Sequence, residues 1–128
     1  MKLLLDTHAF LFWTSDDPRL PPAAREAIAD PSSLVFLSAA SVWEIGIKRA
    51  KGRLRTSFSD TMEEAARHHF VELPMTAAHA AGAAELPSHH EDPFDRMLIA
   101  QARADGLVLV TGDSIIPRYG VRCLWNRG

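Results

Sequence analysis

Three short apolar runs constrain this chain more than any other feature. Leu3 to Leu5 form the first, Leu34 to Leu37 the second and Leu107 to Val110 the third. None alternates apolar with polar residues. Unbroken runs of this kind fit strands covered on both faces, as in a parallel sheet between helices. A run of three cannot be separated from a helical turn by periodicity alone, so its surroundings decide. Each run leads into polar residues and then into a segment with helix signals.

The connecting segments support that reading. Ala9 to Trp13 reads as a short apolar helix ended by Asp16, Asp17 and Pro18. Pro21 and Pro22 open a second helix through Ala29, since proline suits a first helical turn. After the second run, Ser41 and Glu44 have capping-box spacing, although Ser38 is an alternative start. That helix is expected to reach about Lys51 and stop at Gly52. Ser59 to His69 reads as another helix, Phe70 to Pro74 as a strand and Thr76 to Leu86 as an alanine-rich helix. Asp92 is the natural cap of the strongest helix, which runs from Pro93 through Asp105 to Gly106. After the third run, Ser114 to Tyr119 reads as a short helix or turn, and Val121 to Trp125 as a last strand. Strands alternating with helices predict an α/β fold with a parallel sheet between helical layers.

Size and charge narrow the functional classes. The 128 residues suit one domain, 1–128, that buries roughly two-thirds of its unfolded surface. No apolar run approaches the length of a membrane span, and Asp6 and His8 interrupt the amino-terminal run where a signal peptide would continue. The lone Cys123 excludes an internal disulfide and a cysteine-only zinc site. A soluble cytoplasmic protein is expected. Net charge is −2, so the whole chain is not a general electrostatic binder of nucleic acid. Lys48, Arg49, Lys51, Arg53 and Arg55 form a local basic patch, which fits either phosphate contact or a helix end favouring cations.

Four carboxylates fall where the topology brings them together. Asp6 and Asp113 follow buried runs, Glu44 lies in the helix after the second run, and Asp95 lies in the first turn of the last long helix. In a parallel sheet the carboxyl ends of strands and the starts of the following helices share one edge. Taken singly, each has a plain structural explanation. Asp6 and Asp113 fit caps, Glu44 a capping-box partner and Asp95 compensation of a helix dipole. Asp92 is better explained as a cap than as a ligand. Four such groups on one edge repel one another unless a cation joins them. All-oxygen acidic donors select hard ions, Mg²⁺ or Mn²⁺, one or two of them, suited to phosphodiester hydrolysis by activated water. Thr7, Ser41 and Thr111 are hydroxyls placed to orient the acids. Lys48, Arg49 and Arg96 are candidate substrate contacts. His8, His89 and His90 are weaker candidates for phosphate contact or acid chemistry. Trp13, Trp43 and Phe94 read as core or interface anchors.

The segments Leu4 to Thr7, Ser38 to Ile45, Asp92 to Ala102 and Val110 to Asp113 together resemble the four signatures of the PIN domain. The likeness is nearest to VapC-like toxins of type II toxin–antitoxin pairs and covers nearly the whole chain. It implies a three-layer α/β/α sandwich around a mainly parallel sheet of four to five strands. It also implies Mg²⁺- or Mn²⁺-dependent RNA cleavage, a homodimer and a small antitoxin partner that blocks the site, with DNA reached indirectly through that antitoxin. By this resemblance Asp6, Glu44, Asp95 and Asp113 are the acidic quartet, and Asp92 is a weaker fifth member. A rival expectation is a catalytically silent module whose acidic pocket binds protein or RNA. A receiver domain needs a phosphoacceptor Asp after its third strand and a Lys after its last, which Leu73-Pro74 and Leu124-Trp125 do not supply. A haloacid-dehalogenase-like phosphatase needs Asp-x-Asp where this chain has Asp6-Thr7-His8.

Overall fold

A computed structural model describes residues 1–126. Its centre is a five-stranded, wholly parallel sheet. The strands are β1 (Lys2–Leu5), β2 (Leu34–Ser38), β3 (Val71–Leu73), β4 (Val108–Thr111) and β5 (Cys123–Trp125), in the order β3-β2-β1-β4-β5. The three apolar runs are thus the three middle strands. β1 lies at the centre, with Leu5 opposite Leu37 on one side and Val110 on the other.

Alternate residues of these strands feed two separate cores, as the two-residue period of a strand requires. Leu3, Leu5, Val35, Leu37, Val108 and Val110 pack on one face, with Phe10, Leu20, Ile28, Ile45 and Ala65. Leu4 and Leu109 pack on the other, with Leu73, Leu98, Ile99 and Ile116. Helices α1 (Thr7–Thr14), α2 (Pro22–Ala29) and α4 (Phe58–Arg67) cover the first face. Helix α6 (Pro93–Asp105) and the 3₁₀ turn Ile116–Tyr119 cover the second, with α5 (Ala77–Glu85) packed along α6. Helix α3 (Ala39–Ala50) straddles the boundary, giving Ala40 to one core and Ile45 to the other. The three-layer sandwich expected from the sequence is the one observed. Among the described residues no helix is long and apolar enough to cross a membrane.

Several boundaries differ from expectation for identifiable reasons. Ser38, not Ser41, caps α3: its hydroxyl accepts from the amide of Ala40. Helix α4 starts at Phe58 instead of Ser59, because Ser57 and Asp60 form a reciprocal capping box. Phe58 is exposed, so no apolar signal marks that start. Val121 packs into the core before β5 begins, and pairing with β4 is confined to Cys123–Trp125. Gly52 and Gly106, expected as helix stops, both have positive φ, a conformation glycine adopts without a Cβ penalty.

Candidate active site

The carboxyl edge of the sheet builds the site. Asp6 follows β1 directly. Its amide donates to the carbonyl of Val110, and its carboxylate accepts from the amide of Ala9 at 2.7 Å, capping α1. The plain cap reading is therefore correct, and it leaves the rest of the carboxylate facing the cavity. Burial pushes the Asp6 carboxyl above its ordinary range, while hydrogen bonds from Thr111 and Ala9 oppose the rise.

Glu44 is held from two sides. Thr7 Oγ1 donates to its Oε1 at 2.6 Å, and Lys48 Nζ lies 3.0 Å from its Oε2. Ser41 Oγ is 3.0 Å from the Thr7 hydroxyl, so the two buried hydroxyls and this carboxylate are linked through Thr7. With Ser38 as the cap, Glu44 lies well inside α3 and is not needed to close its first turn.

Asp113 and Asp95 meet through His90. His90 Nε2 lies 2.8 Å from Asp113 Oδ2 and 3.1 Å from Asp95 Oδ2. The amide of Asp92 donates to Nδ1 at 3.2 Å, which makes Nε2 the proton-bearing nitrogen of the neutral ring. Nε2 is thereby left to bridge the two carboxylates. Asp113 also accepts from the amide of Ile115, capping the turn after β4. Thr111, fully buried, accepts from the amide of Asp113 and bonds the Asp6 carboxylate, tying two acids to one hydroxyl. Asp92 caps α6 through the amides of Phe94 and Asp95, the structural role favoured above.

Asp95 carries the clearest electrostatic signature. Its carboxyl is pushed up to about 7, first by burial and then by the charge of Asp92. Asp6 and Glu44 push it further, and His90 opposes them. Asp95 thus lies within electrostatic reach of Asp92, Asp6 and Glu44. Asp6, Asp95 and Asp113 line one cavity of about 860 Å³, together with His8, Phe12, Arg19, Pro21, Gly112 and Trp125. Carboxylate oxygens of Asp95 and Asp113 and a His90 nitrogen lie within 4.8 Å of one another. Such a donor set, rich in carboxylate oxygen, fits a hard divalent cation.

The predicted cations divide. Lys48 is spent on Glu44 within the site. Arg49 turns away to the carbonyl of Arg55. Arg96 donates to the carbonyls of Ala83, Leu86, Pro87 and His90, at 2.8 to 3.1 Å. The structure gives Arg96 an anchoring role in place of the substrate contact suggested by its neighbour Asp95. Trp13 packs with Phe70 and His68, whereas Trp43 is 59% exposed and meets Phe94 edge to face. Phe12, Arg19, Gly112 and Trp125 went unnoticed in the sequence.

Comparison with known proteins agrees with this geometry. The family model described as PIN domain matches residues 3–121. Ribonuclease VapC22 of Mycobacterium tuberculosis is 32% identical over 114 residues, which span 87% of this chain and 86% of that protein. Two solved structures share the fold. VapBC2 from Rickettsia felis, bound to a DNA fragment from its promoter, has a TM-score of 0.72 at 14% identity and covers 97% of this chain and 98% of that one. DNA-bound VapBC from Salmonella typhimurium has a TM-score of 0.71 at 21% identity and covers 97% of each chain. A match across nearly the whole sequence, with the acids gathered at one sheet edge, leads to one conclusion: the chain belongs to the PIN-domain family.

Proposed function

We infer that this protein is a metal-dependent endoribonuclease, the toxin of a type II toxin–antitoxin pair acting in the cytoplasm. The observation that carries the reading is the convergence of Asp6, Asp95 and Asp113 in one cavity, with Glu44 felt electrostatically by both Asp6 and Asp95. The likeness to a protein named as a ribonuclease supports the substrate class.

Asp6, Glu44, Asp95 and Asp113 are the groups that would hold one or two Mg²⁺ or Mn²⁺ ions. An ion held there would make water acidic enough for attack at neutral pH and would offset charge on the phosphate. Each residue of the chain has a defined task around that chemistry. Thr7 and Ser41 fix the rotamer of Glu44, and Thr111 fixes Asp6 and the loop of Asp113. Lys48 offsets one negative charge of the cluster through its ion pair with Glu44. His90 keeps Asp95 and Asp113 together through its Nε2. Two structural neighbours are toxin–antitoxin complexes bound to DNA. By that likeness a small antitoxin is the partner of this chain, with DNA reached through it; the family resemblance adds a second copy of the chain itself.

The test is cleavage of RNA by Asp6→Asn, Glu44→Gln and Asp95→Asn proteins in Mg²⁺, Mn²⁺ and EDTA. Loss of a metal ligand is expected to lower the rate at least about 100-fold. Folded variants that cut RNA as fast as the parent would sink the proposal. Calorimetry with Mn²⁺ separates it from a silent acidic pocket, which would bind no ion and cut nothing.

A further inference from the structure

Gln101 is a polar side chain in the middle of an apolar helix face. It lies on α6 between Leu98, Ile99 and Ala102 of the second core, and it is fully buried. Burying an amide costs free energy unless its donors and acceptor find partners. Both ends of this one do. Oε1 accepts from the hydroxyl of Ser38 at 2.7 Å, and Nε2 donates to the carbonyl of Pro74 at 3.2 Å. Nε2 also faces Nδ1 of His79 at 3.5 Å, and that nitrogen accepts from the Thr76 amide at the start of α5. One amide therefore gathers the end of β2, the residue after β3 and the first turn of α5.

Ser38 is the partner that gives this bond a reach beyond the core. It is itself fully buried, and its hydroxyl oxygen accepts from the amide of Ala40 and caps α3. Helix α3 carries Glu44 and α6 carries Asp95, so the Gln101–Ser38 bond ties together the two helices that deliver these acids. The acids themselves are held from other sides. The Glu44 carboxylate bonds to Thr7 and Lys48, and the Asp95 carboxylate to His90. Among the described residues no other side-chain hydrogen bond joins α6 to β2 or α3. Trp43 meets Phe94 across the same two helices, and Ala40 shares a core with Leu98. Such apolar contact is non-directional, whereas a hydrogen bond fixes both distance and angle.

We propose that Gln101 is a positioning residue for the acidic centre: by holding Ser38 it sets the start of α3 against α6, and with it the spacing of Glu44 and Asp95. This rests on the reading of those acids as metal ligands. The Gln101 amide bonds to neither acid and acts through the two helices alone. A small divalent cation such as Mg²⁺ demands near-ideal placement of its oxygen donors, so the spacing has little slack. A displacement of about 1 Å can cost on the order of 100-fold in rate even when it arises far from the chemistry. Methionine at position 101 would fill a similar volume, leave the Ser38 hydroxyl without its acceptor and let α3 settle on α6 by apolar contact alone. The core would survive that change better than the register of the two acids.

The test compares Gln101→Met with Leu107→Ala in the full chain, each well below its melting temperature. Leu107 belongs to the same core but precedes β4, at the sheet edge opposite the acids, so its truncation weakens the fold without touching the bridge. Calorimetry with Mn²⁺ alone reads the site, and cleavage of an RNA oligonucleotide gives kcat and KM. Gln101→Met is expected to weaken Mn²⁺ binding about tenfold and to lower kcat about tenfold, with KM changed less than about threefold. Leu107→Ala is expected to melt lower and to keep the Mn²⁺ affinity of the parent. Ser38→Ala removes the donor and leaves Gln101 bonded to Pro74; it is expected to show the same loss, and it decides the matter if the methionine variant does not fold. Mn²⁺ binding equal to that of the parent in the folded variants overturns the proposal. An equal loss in Leu107→Ala also overturns it, since stability alone would then explain the effect. A parent protein that binds Mn²⁺ and cuts no RNA overturns the ribonuclease reading instead, and the ratio of Mn²⁺ affinities still decides on Gln101.

Discussion

Asp95 is where a single residue controls both charge and stability. Its carboxyl sits at about 7, against an ordinary value of 3.8. A folded-state value raised above the unfolded one means that the native chain holds this proton after the unfolded chain has released it. Metal-free stability is therefore greatest below about pH 4 as far as this group is concerned, and it is lost as pH rises toward 7. With one carboxylate removed, Asp95→Asn is expected to be more stable than the parent in EDTA at pH 8, by on the order of 1–3 kcal/mol, and nearly equal to it at pH 4.5. Thermal melts at the two pH values check this; a difference independent of pH would contradict it. The four acids were legible in the sequence because each stands at the end of an apolar run or near the start of a helix. His90 was only a weak candidate, since its position depends on a loop whose path no periodicity encodes. Trp125 was invisible for a similar reason: its ring reaches the site through a positive φ that no local signal announces.

At the scale of elements, the Arg96 guanidinium is the fastening of α5 and of the loop that carries His90. Four carbonyls, from Ala83, Leu86, Pro87 and His90, converge on it. Ala83 lies in the last turn of α5 and Leu86 is its cap; the Ala83 carbonyl also accepts a long bond from the Leu86 amide. Arg96→Met keeps most of the apolar stem and strands those acceptors. It is expected to cost about 2–3 kcal/mol in urea unfolding. Arg96→Lys should recover only part, having three donors on one nitrogen where the fork of arginine spans two ends. A variant with an unchanged midpoint would show that water satisfies the carbonyls equally well. Helix caps illustrate how far element boundaries could be read. Asp92 before Pro93 was plain, because cap and first-turn proline agree. The capping-box spacing of Ser41 and Glu44 points to the wrong start, and the alternative Ser38 is the cap: it ends β2 in extended geometry, and Ser41 is turned toward Thr7.

Across the whole molecule, one central strand joins two cores and delivers the innermost acid. Leu3 and Leu5 serve one core, Leu4 the other, and all three are fully buried. Leu4→Ala leaves a cavity between β1 and α6 and is expected to cost about 3 kcal/mol, read by chemical unfolding. The layered fold was legible because buried parallel strands cannot hide their composition. The order β3-β2-β1-β4-β5 was not, since nothing local states which strands become neighbours. The carboxyl edge could be foreseen even so, because every crossover in a parallel sheet returns the chain to the same side.

The tether at Asn126 has a practical consequence for anyone handling this protein. The chain leaves residue 126 while bonded to the carbonyls of Thr111 and Asp113, at the mouth of the acidic cavity. Met1, paired with Leu34, departs from the opposite edge of the sheet. A fluorophore or surface linker attached at residue 126 would disturb those bonds and start its path beside Thr111 and Asp113. The same appendage placed before Met1 would have the full length of the strands between itself and the chemistry.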